Sequence, residues 1–332
     1  MPYNNVPPYC QLPHQNKFNF KSRFTLYFCF SSEYTEFMNR IIESFEEISS
    51  NYKAIFCDLW GCLHDGRYSF PESINTLKAY KKAGGIIILL TNAPRPKTAI
   101  ADFIHNLGIN DHLYDDIVTS GDAAQLSLFL GTFGNQIFHI GPERDHSFFE
   151  ISEDLLSQPV SLDFVDILNA SCIVCTGLFN DQIESPSDYT DIIRQGIELN
   201  LELLCVNPDI QVDYGSKRLW CAGAVARNYK QAGGTVHYFG KPHRPIYDLA
   251  LTTLHNIDPT IKQSDIICIG DGISTDILGG IDQGLDTLFV CGGLSDKDTG
   301  TTGGALSPDK KKLAKFLNNA QLLPTASIGY FR

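Results

Sequence analysis

The stretch Ala54-Ile55-Phe56-Cys57-Asp58-Leu59-Trp60-Gly61 constrains this chain more than any other. Four apolar residues stop at a carboxylate, and a glycine follows three positions on. A short unbroken apolar run predicts a strand of a parallel sheet, buried on both faces. Asp58 then stands at the carboxyl end of that strand, the edge at which open α/β sheets bind ligands. A carboxylate delivered from a buried strand is costly unless something cationic meets it. A metal ion is the expected partner, and Asp58 the expected nucleophile.

The same device recurs along the chain. Ile86 to Leu90 runs into Thr91-Asn92-Ala93, Thr235 to Phe239 into Gly240-Lys241-Pro242-His243, and Ile266 to Ile269 into Gly270-Asp271-Gly272. If these strands are parallel neighbours in one sheet, four tips converge. Two carboxylates with phosphate oxygens and waters make an octahedral hard-cation site that suits Mg2+. A hydroxyl and an amide offer hydrogen bonds to a phosphoryl oxygen. Lys241 adds a fixed positive charge for a phosphoryl group in transit. Other phosphate-binding and hydrolytic patterns do not fit. Pro242 stands where a phosphate loop needs Ser or Thr, and no Gly-x-Gly-x-x-Gly opens a helix after a strand. A Gly-x-Ser-x-Gly elbow is missing too.

Around these strands the spacing predicts helices over Pro71 to Ala83, Lys97 to Leu107, Pro245 to His255, Thr275 to Gln283 and Pro308 to Leu317, with further strands at Asp116 to Gly121 and Thr287 to Cys291. Gly292 to Gly304 reads as a flexible loop at the same edge. Between about Gly131 and Gly234 the pattern restarts. Gln136 to Ile140, Cys172 to Cys175 and Leu203 to Val206 read as strands, and Ser147 to Leu156, Tyr189 to Asn200 and Gly223 to Ala232 as helices. The expectation is an α/β fold: a doubly wound, Rossmann-like parallel-sheet core over residues 38–130 and 235–332, with an α/β cap domain inserted at 131–234.

The first 37 residues carry Pro2, Pro7, Pro8 and Pro13 and then a cluster of aromatic residues, without the basic, apolar and small-residue succession of a secretory signal. The only methionines are Met1 and Met38, and Met38 opens an amphipathic helix pattern, Met38 to Ser50. The folded unit is expected to start near Met38, with residues 1–37 a tail or a mis-assigned start. The net charge of −12 disfavours nucleic acid and anionic membrane as partners. No run of about 18 apolar residues predicts a membrane span. Six of the ten cysteines lie inside apolar runs, where cysteine acts as a small hydrophobe, so reduced thiols in the cytoplasm are expected. Cys172 and Cys175 have metal-ligand spacing, but on a strand they face opposite sides, which argues against zinc.

Asp58-Leu59-Trp60-Gly61, Thr91-Asn92-Ala93, Gly240-Lys241-Pro242 and Gly270-Asp271-Gly272-Ile273-Ser274-Thr275-Asp276 resemble the four motifs of the haloacid dehalogenase superfamily of aspartate-nucleophile phosphohydrolases. The resemblance covers about Lys53 to Gly293 and is to the branch with a large α/β cap between the second and third motifs, the group of nucleotide and 4-nitrophenyl phosphatases. The spacings agree: 33 positions from Asp58 to Thr91 leave no room for an inserted domain, and 150 from Thr91 to Lys241 do. Asn207-Pro208-Asp209 resembles the cap's signature. The resemblance implies a Mg2+-dependent phosphatase of a small phosphorylated metabolite. Asp58 forms an aspartyl-phosphate. Asp58, Asp271 and the main-chain oxygen of Trp60 bind the metal. Asp276 supports that shell or pairs with Lys241, and Thr91, Asn92 and Lys241 hold the phosphoryl group. Asn207 and Asp209, with Arg218, are the cap's candidates for substrate contact, while Arg95 and His243 flank the core motifs. The large cap also offers area for a homodimer interface.

One position departs from the family pattern. The first motif normally carries a second aspartate, two residues after the nucleophile, that protonates the leaving group and then activates water. This chain has Trp60 there, whose indole is a donor only. Losing a general acid/base typically costs about 10²- to 10⁴-fold in rate. His64, with Asp65 on the following turn, is a candidate substitute. Otherwise the substrate has a good leaving group, such as an acyl phosphate or phosphoanhydride. Two other readings stay open: a catalytically impaired protein that binds phosphate or a metabolite, and C–halogen hydrolysis by the same aspartate. The short first spacing and the retained Asp271 count against the last.

Overall fold

The computed structural model describes residues 39–151, 156–215, 217–302 and 305–332. The expected tail over residues 1–37, and Met38, lie outside the described residues.

Six strands form the first sheet: β1 (Ala54–Cys57), β2 (Ile86–Thr91), β3 (Asp116–Thr119), β11 (Ile266–Gly270), β12 (Asp286–Val290) and β13 (Ala326–Ile328). Their order is β13-β12-β11-β1-β2-β3, all parallel. Alternate residues of β1 enter different cores, Ile55 and Cys57 one and Ala54 and Phe56 the other, and the neighbouring strands divide the same way. That two-sided burial is what the unbroken apolar runs predict. The chain winds outward from β1 through β2 and β3, then returns to β11 and winds the other way. The switch point therefore lies between β1 and β11, where such sheets open a crevice at their carboxyl ends.

The second sheet has the order β10-β7-β6-β4-β5, built from β4 (Gln136–Ile140), β5 (Asp163–Phe164), β6 (Cys172–Cys175), β7 (Glu202–Cys205) and β10 (Thr235–Tyr238), again parallel. A separate antiparallel hairpin, β8 (Gln211–Tyr214) with β9 (Lys217–Trp220), follows β7. The architecture is the expected parallel α/β core with an additional sheet. One strand is a correction. Thr235 to Tyr238 pairs with Glu202–Cys205 of the second sheet rather than resuming the first. Thr235 is exposed and the other three residues only half-buried, so it reads as an edge strand, unlike the fully buried β1.

Local readings differ in places. Only Glu46–Ser49 is α-helical in the expected helix up to Ser50. Backbone pairing with the last strand takes the preceding residues, Ile42 donating to the Ser327 carbonyl and Ser327 to that of Arg40. The three-residue apolar spacing still serves burial, since Ile42, Phe45 and Ile48 are all in the core. The expected helix from Thr275 begins as a π-helical turn, Ile273–Ile277, before the α-helical Leu278–Asp282. Of Ser147 to Leu156, the described part is the end of a 3-10 stretch, Glu143–Phe149. The loop after Gly292 contains a helical turn, Asp296–Thr299. The eight cysteines among the described residues are free and buried, and Cys172 and Cys175 enter different cores. No helix among the described residues is long and apolar enough to cross a membrane.

Candidate active site

Strand register builds the site. Cys57 lies opposite Ile269 on one side and Leu89 on the other, and the Asp58 amide donates to the Ile269 carbonyl at 2.8 Å. The next residues, Asp58, Gly270-Asp271 and Leu90-Thr91, therefore leave the sheet together. Lys241 arrives from the end of β10 in the other sheet and still reaches this edge. Its Nζ lies 2.7 Å from Asp58 Oδ1 and 2.7 Å from Asp276 Oδ1, and donates to the Leu90 carbonyl at 2.9 Å. The pairing of Asp276 with Lys241 is thus direct.

Asp58, Asp271 and Asp276 each offer a carboxylate oxygen, all within 4.8 Å of one another. All three side chains are buried, and so is Lys241. Burial, then the neighbouring Asp276 charge, holds the Asp58 carboxyl well above the usual range despite Lys241. Burial and Asp276 likewise push Asp271 up to about 7. Burial works against the Lys241 charge, but Asp276 and Asp58 overcome it and keep the ammonium firmly protonated. Three carboxylates facing one ammonium carry excess negative charge in a desolvated space, an arrangement that calls for a further cation. An all-oxygen donor set of this kind suits a small divalent ion.

Backbone packs tightly around these carboxylates. A Cβ on Gly61, whose φ is +74°, would lie 2.1 Å from Asp271 Oδ2, and one on Gly293 would lie 1.9 Å from the same atom. The Leu294 amide donates to Asp271 Oδ2 at 2.9 Å. Gly272 does the same for Asp276 Oδ2 at 3.1 Å. Gly293 and Leu294 were not singled out by the motifs, whereas Gly61 closes the first of them. A glycine three residues after a strand-end aspartate is a signal for Gly61, since a left-handed turn and a close approach both require it.

Thr91 and Asn92 are buried beside the cluster. Asn92 is fully used: its Oδ1 accepts from the Lys241 amide at 2.7 Å, and its Nδ2 donates to the Lys241 carbonyl at 3.0 Å and to Asp209 Oδ1 at 2.8 Å. Asp209 thus links the second sheet to the strand tips of the first, with its backbone amide donating to Asn207 Oδ1 at 3.1 Å. Burial raises the Asp209 carboxyl to about 6. Three clefts meet at the cluster. One of about 460 Å³ is lined by Asp58, Trp60, Asp209, Asp271 and the β8 residues Gln211 to Asp213. A second, of about 580 Å³, is lined by Asp58, Trp60, Thr91, Arg95, Asn207 and Asp209. The third, about 480 Å³, holds Asp209, Asp271, Arg218 and His243.

His64 is a correction. Its side chain is 0% exposed, its Nδ1 accepts from the Gly66 amide at 3.0 Å, and its Nε2 is buried without a partner. Burial lowers its pKa to about 4. The ring packs against Trp60 and Phe103, at centroid distances of 4.9 and 5.6 Å, and borders none of the three clefts. A neutral, walled-in imidazole cannot exchange protons with a substrate. Asp65 does border a cleft, but its Oδ1 accepts from the amides of Arg67 and Tyr68. The Trp60 indole forms a wall between two clefts, against Tyr214 of the hairpin and directly over Gly66, whose Cβ would lie 2.4 Å from the ring. Its carbonyl stays free of backbone hydrogen bonds among the described residues. Arg95 stacks over Phe103 and sits 3.8 Å from Asp145. Arg218 is bidentate to Asp213, and His243 stacks on Tyr238.

A haloacid dehalogenase-like hydrolase profile matches residues 55–152, and a HAD-hydrolase-like profile matches 238–313. The acid sugar phosphatase of Staphylococcus saprophyticus is 25% identical over 256 residues, 75% of this chain and 90% of that one. The ribonucleotide monophosphatase NagD of Escherichia coli K12 is 23% identical over 250 residues, 74% and 90%. A crystal structure of a haloacid dehalogenase-like hydrolase from Brucella suis 1330 is 36% identical, with a TM-score of 0.75, and covers 88% of this chain and 100% of its own. With that likeness spanning most of this chain and all of the other, and the motif aspartates gathered at one sheet edge, the chain belongs to the haloacid dehalogenase-like hydrolases.

Proposed function

We propose that this hydrolase is a Mg2+-dependent phosphatase of small phosphorylated metabolites, sugar or nucleotide monophosphates, working through an aspartyl-phosphate on Asp58. The observation that carries the reading is the buried cluster itself: Asp58 and Asp276 on one ammonium, with Asp271 beside them. The similarity to sugar and ribonucleotide phosphatases supports the substrate class.

Asp58, Asp271 and the Trp60 carbonyl would hold the metal, with Asp276 supporting Lys241. Bound there, the ion would neutralise charge on the phosphoryl oxygens and favour the ionised form of Asp58. Asp58 then attacks phosphorus. Lys241, already fixed by Leu90 and Asp276, offers its charge to the phosphoryl group without reorganising. Thr91 and the Asn92 main chain orient that group. In this reading the cap comprises residues 131–238, one strand longer than the sequence pattern suggests. Its hairpin and Asp209 close over the crevice and exclude water.

The test is phosphate release from a panel of sugar phosphates, nucleotides, acyl phosphates and 4-nitrophenyl phosphate, with Mg2+ or with EDTA. Release should require the metal and fall by about 10⁴-fold or more in Asp58→Asn. Trp60 favours a second reading, binding without turnover. Tight Mg2+-dependent binding of a phosphorylated ligand with no release from any ester supports that reading and overturns the first.

A further inference from the structure

We propose that Asp209, contributed by the second sheet, is the general acid and base of this site. The assignment rests on the phosphatase reading above, and it supplies a proton that the groups around Asp58 do not. A phosphate ester of an alcohol leaves badly as an alkoxide, so the ester oxygen needs a proton as its bond to phosphorus breaks. The Trp60 indole cannot serve, His64 is walled in, and Asp65, its Oδ1 held by two backbone amides of its own turn, borders one cleft where Asp209 borders three. Asp276 is bound to Lys241 and to the Gly272 amide.

Asp209 borders all three clefts, and two of these also contain Asp58. Its position is fixed from three sides. Asn92 Nδ2 holds Oδ1, the Gly223 amide donates to the Asp209 carbonyl at 3.1 Å, and the preceding Pro208 packs so closely on Gly240 that a Cβ there would lie 2.7 Å from the proline ring. Oδ2 makes no hydrogen bond among the described residues, yet it is not sealed from solvent. That oxygen is free to carry a proton into the cleft, above the residues proposed to hold the phosphoryl group. Burial raises this carboxyl to about 6, opposed by Lys241 and Asn92 and reinforced by Asp276. Both protonation states are therefore populated near neutral pH, as a group that alternates between acid and base requires. Asp145 is raised similarly, but it borders only the 580 Å³ cleft and faces Arg95 and Arg144.

In the first half-reaction Asp58 bonds to phosphorus, the ester P–O bond breaks, and the departing oxygen takes the proton from Asp209 Oδ2. In the second, Asp209 as carboxylate takes a proton from water while the water oxygen bonds to phosphorus. The bond from phosphorus to Asp58 breaks, inorganic phosphate leaves, and both aspartates return to their starting states.

Asp209→Asn keeps the acceptor for Asn92 and removes the proton. The experiment compares kcat/KM of this variant and the wild type, with Mg2+ present, on glycerol 2-phosphate and on 4-nitrophenyl phosphate. The alkyl ester should lose about 10²- to 10⁴-fold. The nitrophenyl ester, whose phenolate leaves without a proton, should lose less than about tenfold in kcat/KM. It should also show a burst of nitrophenolate, because hydrolysis of the aspartyl-phosphate now lacks its base. Retained nitrophenyl activity also reports that the variant is folded. Equal losses on the two esters, or unchanged alkyl activity, overturn the assignment and leave the phosphatase reading standing. No Asp58-dependent phosphate release by the wild type from either ester overturns both.

Discussion

The two parallel sheets of this chain share an architecture and differ in what their strands deliver. In the first, β1 and β11 end in Asp58 and Asp271. In the second, β6 and β7 end in Cys175-Thr176 and Cys205-Val206, and the residues at these tips are as buried as those of the first sheet. Burial raises the thiols of Cys175 and Cys205, so they stay neutral and pack as small apolar groups. The same burial leaves the first sheet with charges that one lysine does not balance. A parallel sheet provides a crevice at its carboxyl edge, and the residues at the strand ends decide whether that crevice does chemistry. The second sheet contributes from the segments that follow two of its strands: Lys241 after β10, and the turn after β7, where Asn207-Pro208-Asp209 reaches across to Asn92.

The contrast breaks hardest at Lys241. Replacing it by Met keeps the length and removes the ammonium that pairs with both Asp58 and Asp276. Removing one partner of a buried charged set typically costs about 3–5 kcal/mol. Lys241→Met should therefore unfold at clearly lower urea concentration than the wild type, and its phosphate release should fall by at least about 10²-fold. A variant as stable and as active as the wild type would mean that the first sheet's tips are no more charge-dependent than the second's.

A subtler difference is in pH dependence. Burial and Asp276 raise the Asp271 carboxyl to about 7 in the folded protein, while the unfolded chain's carboxyls titrate near about 4. A raised carboxyl binds its proton more tightly when folded. The stability it contributes is therefore full at acid pH and is lost as pH rises from about 4 through about 7. A divalent cation favours the ionised form and reverses this loss. Magnesium should raise the melting temperature by several degrees at pH 8, following about 2.7 kcal/mol at a hundredfold excess over Kd. At pH 5 the rise should be smaller. Calorimetry at both values checks this, and an equal rise at the two would remove Asp271 from the metal set.

Much of the first sheet was legible because its signal is local: an apolar run, then a polar residue, repeated. Asp58, Asp271, Asp276 and Lys241 meet as the motifs imply. What misled was inference from a strand to its sheet. Thr235 to Tyr238 reads as a strand in either sheet, and only pairing with β7 assigns it. The hairpin of β8 and β9 was missed although Ile210 to Tyr214 alternates apolar and polar residues, because the strands are only four residues long and β9, Lys217–Trp220, carries no such alternation. His64 failed as a substitute base for a different reason. Closeness in sequence placed it near Trp60, but sequence does not say which way a turn points a ring. Here it points inward, against Phe103. The opening of Asp209 toward the cleft depends on contacts with Asn92 and Gly223, both remote from it in the fold's other elements.

The smallest expected effect belongs to the second sheet. Cys175 stands at the tip of β6 much as Asp58 stands just past that of β1, and its Sγ reaches the Gly177 carbonyl at 3.6 Å. It packs in the second sheet's own core with Ile173, Leu203 and Tyr189, and borders none of the clefts. Cys175→Ala removes one neutral sulfur from that core, so it should cost about 1 kcal/mol, the common size for a modest core truncation. Phosphate release should stay within about twofold of the wild type, since no group proposed to touch substrate moves with it. A tenfold loss would show that the tip of β6, and not only the segments after β7 and β10, is coupled to the chemistry.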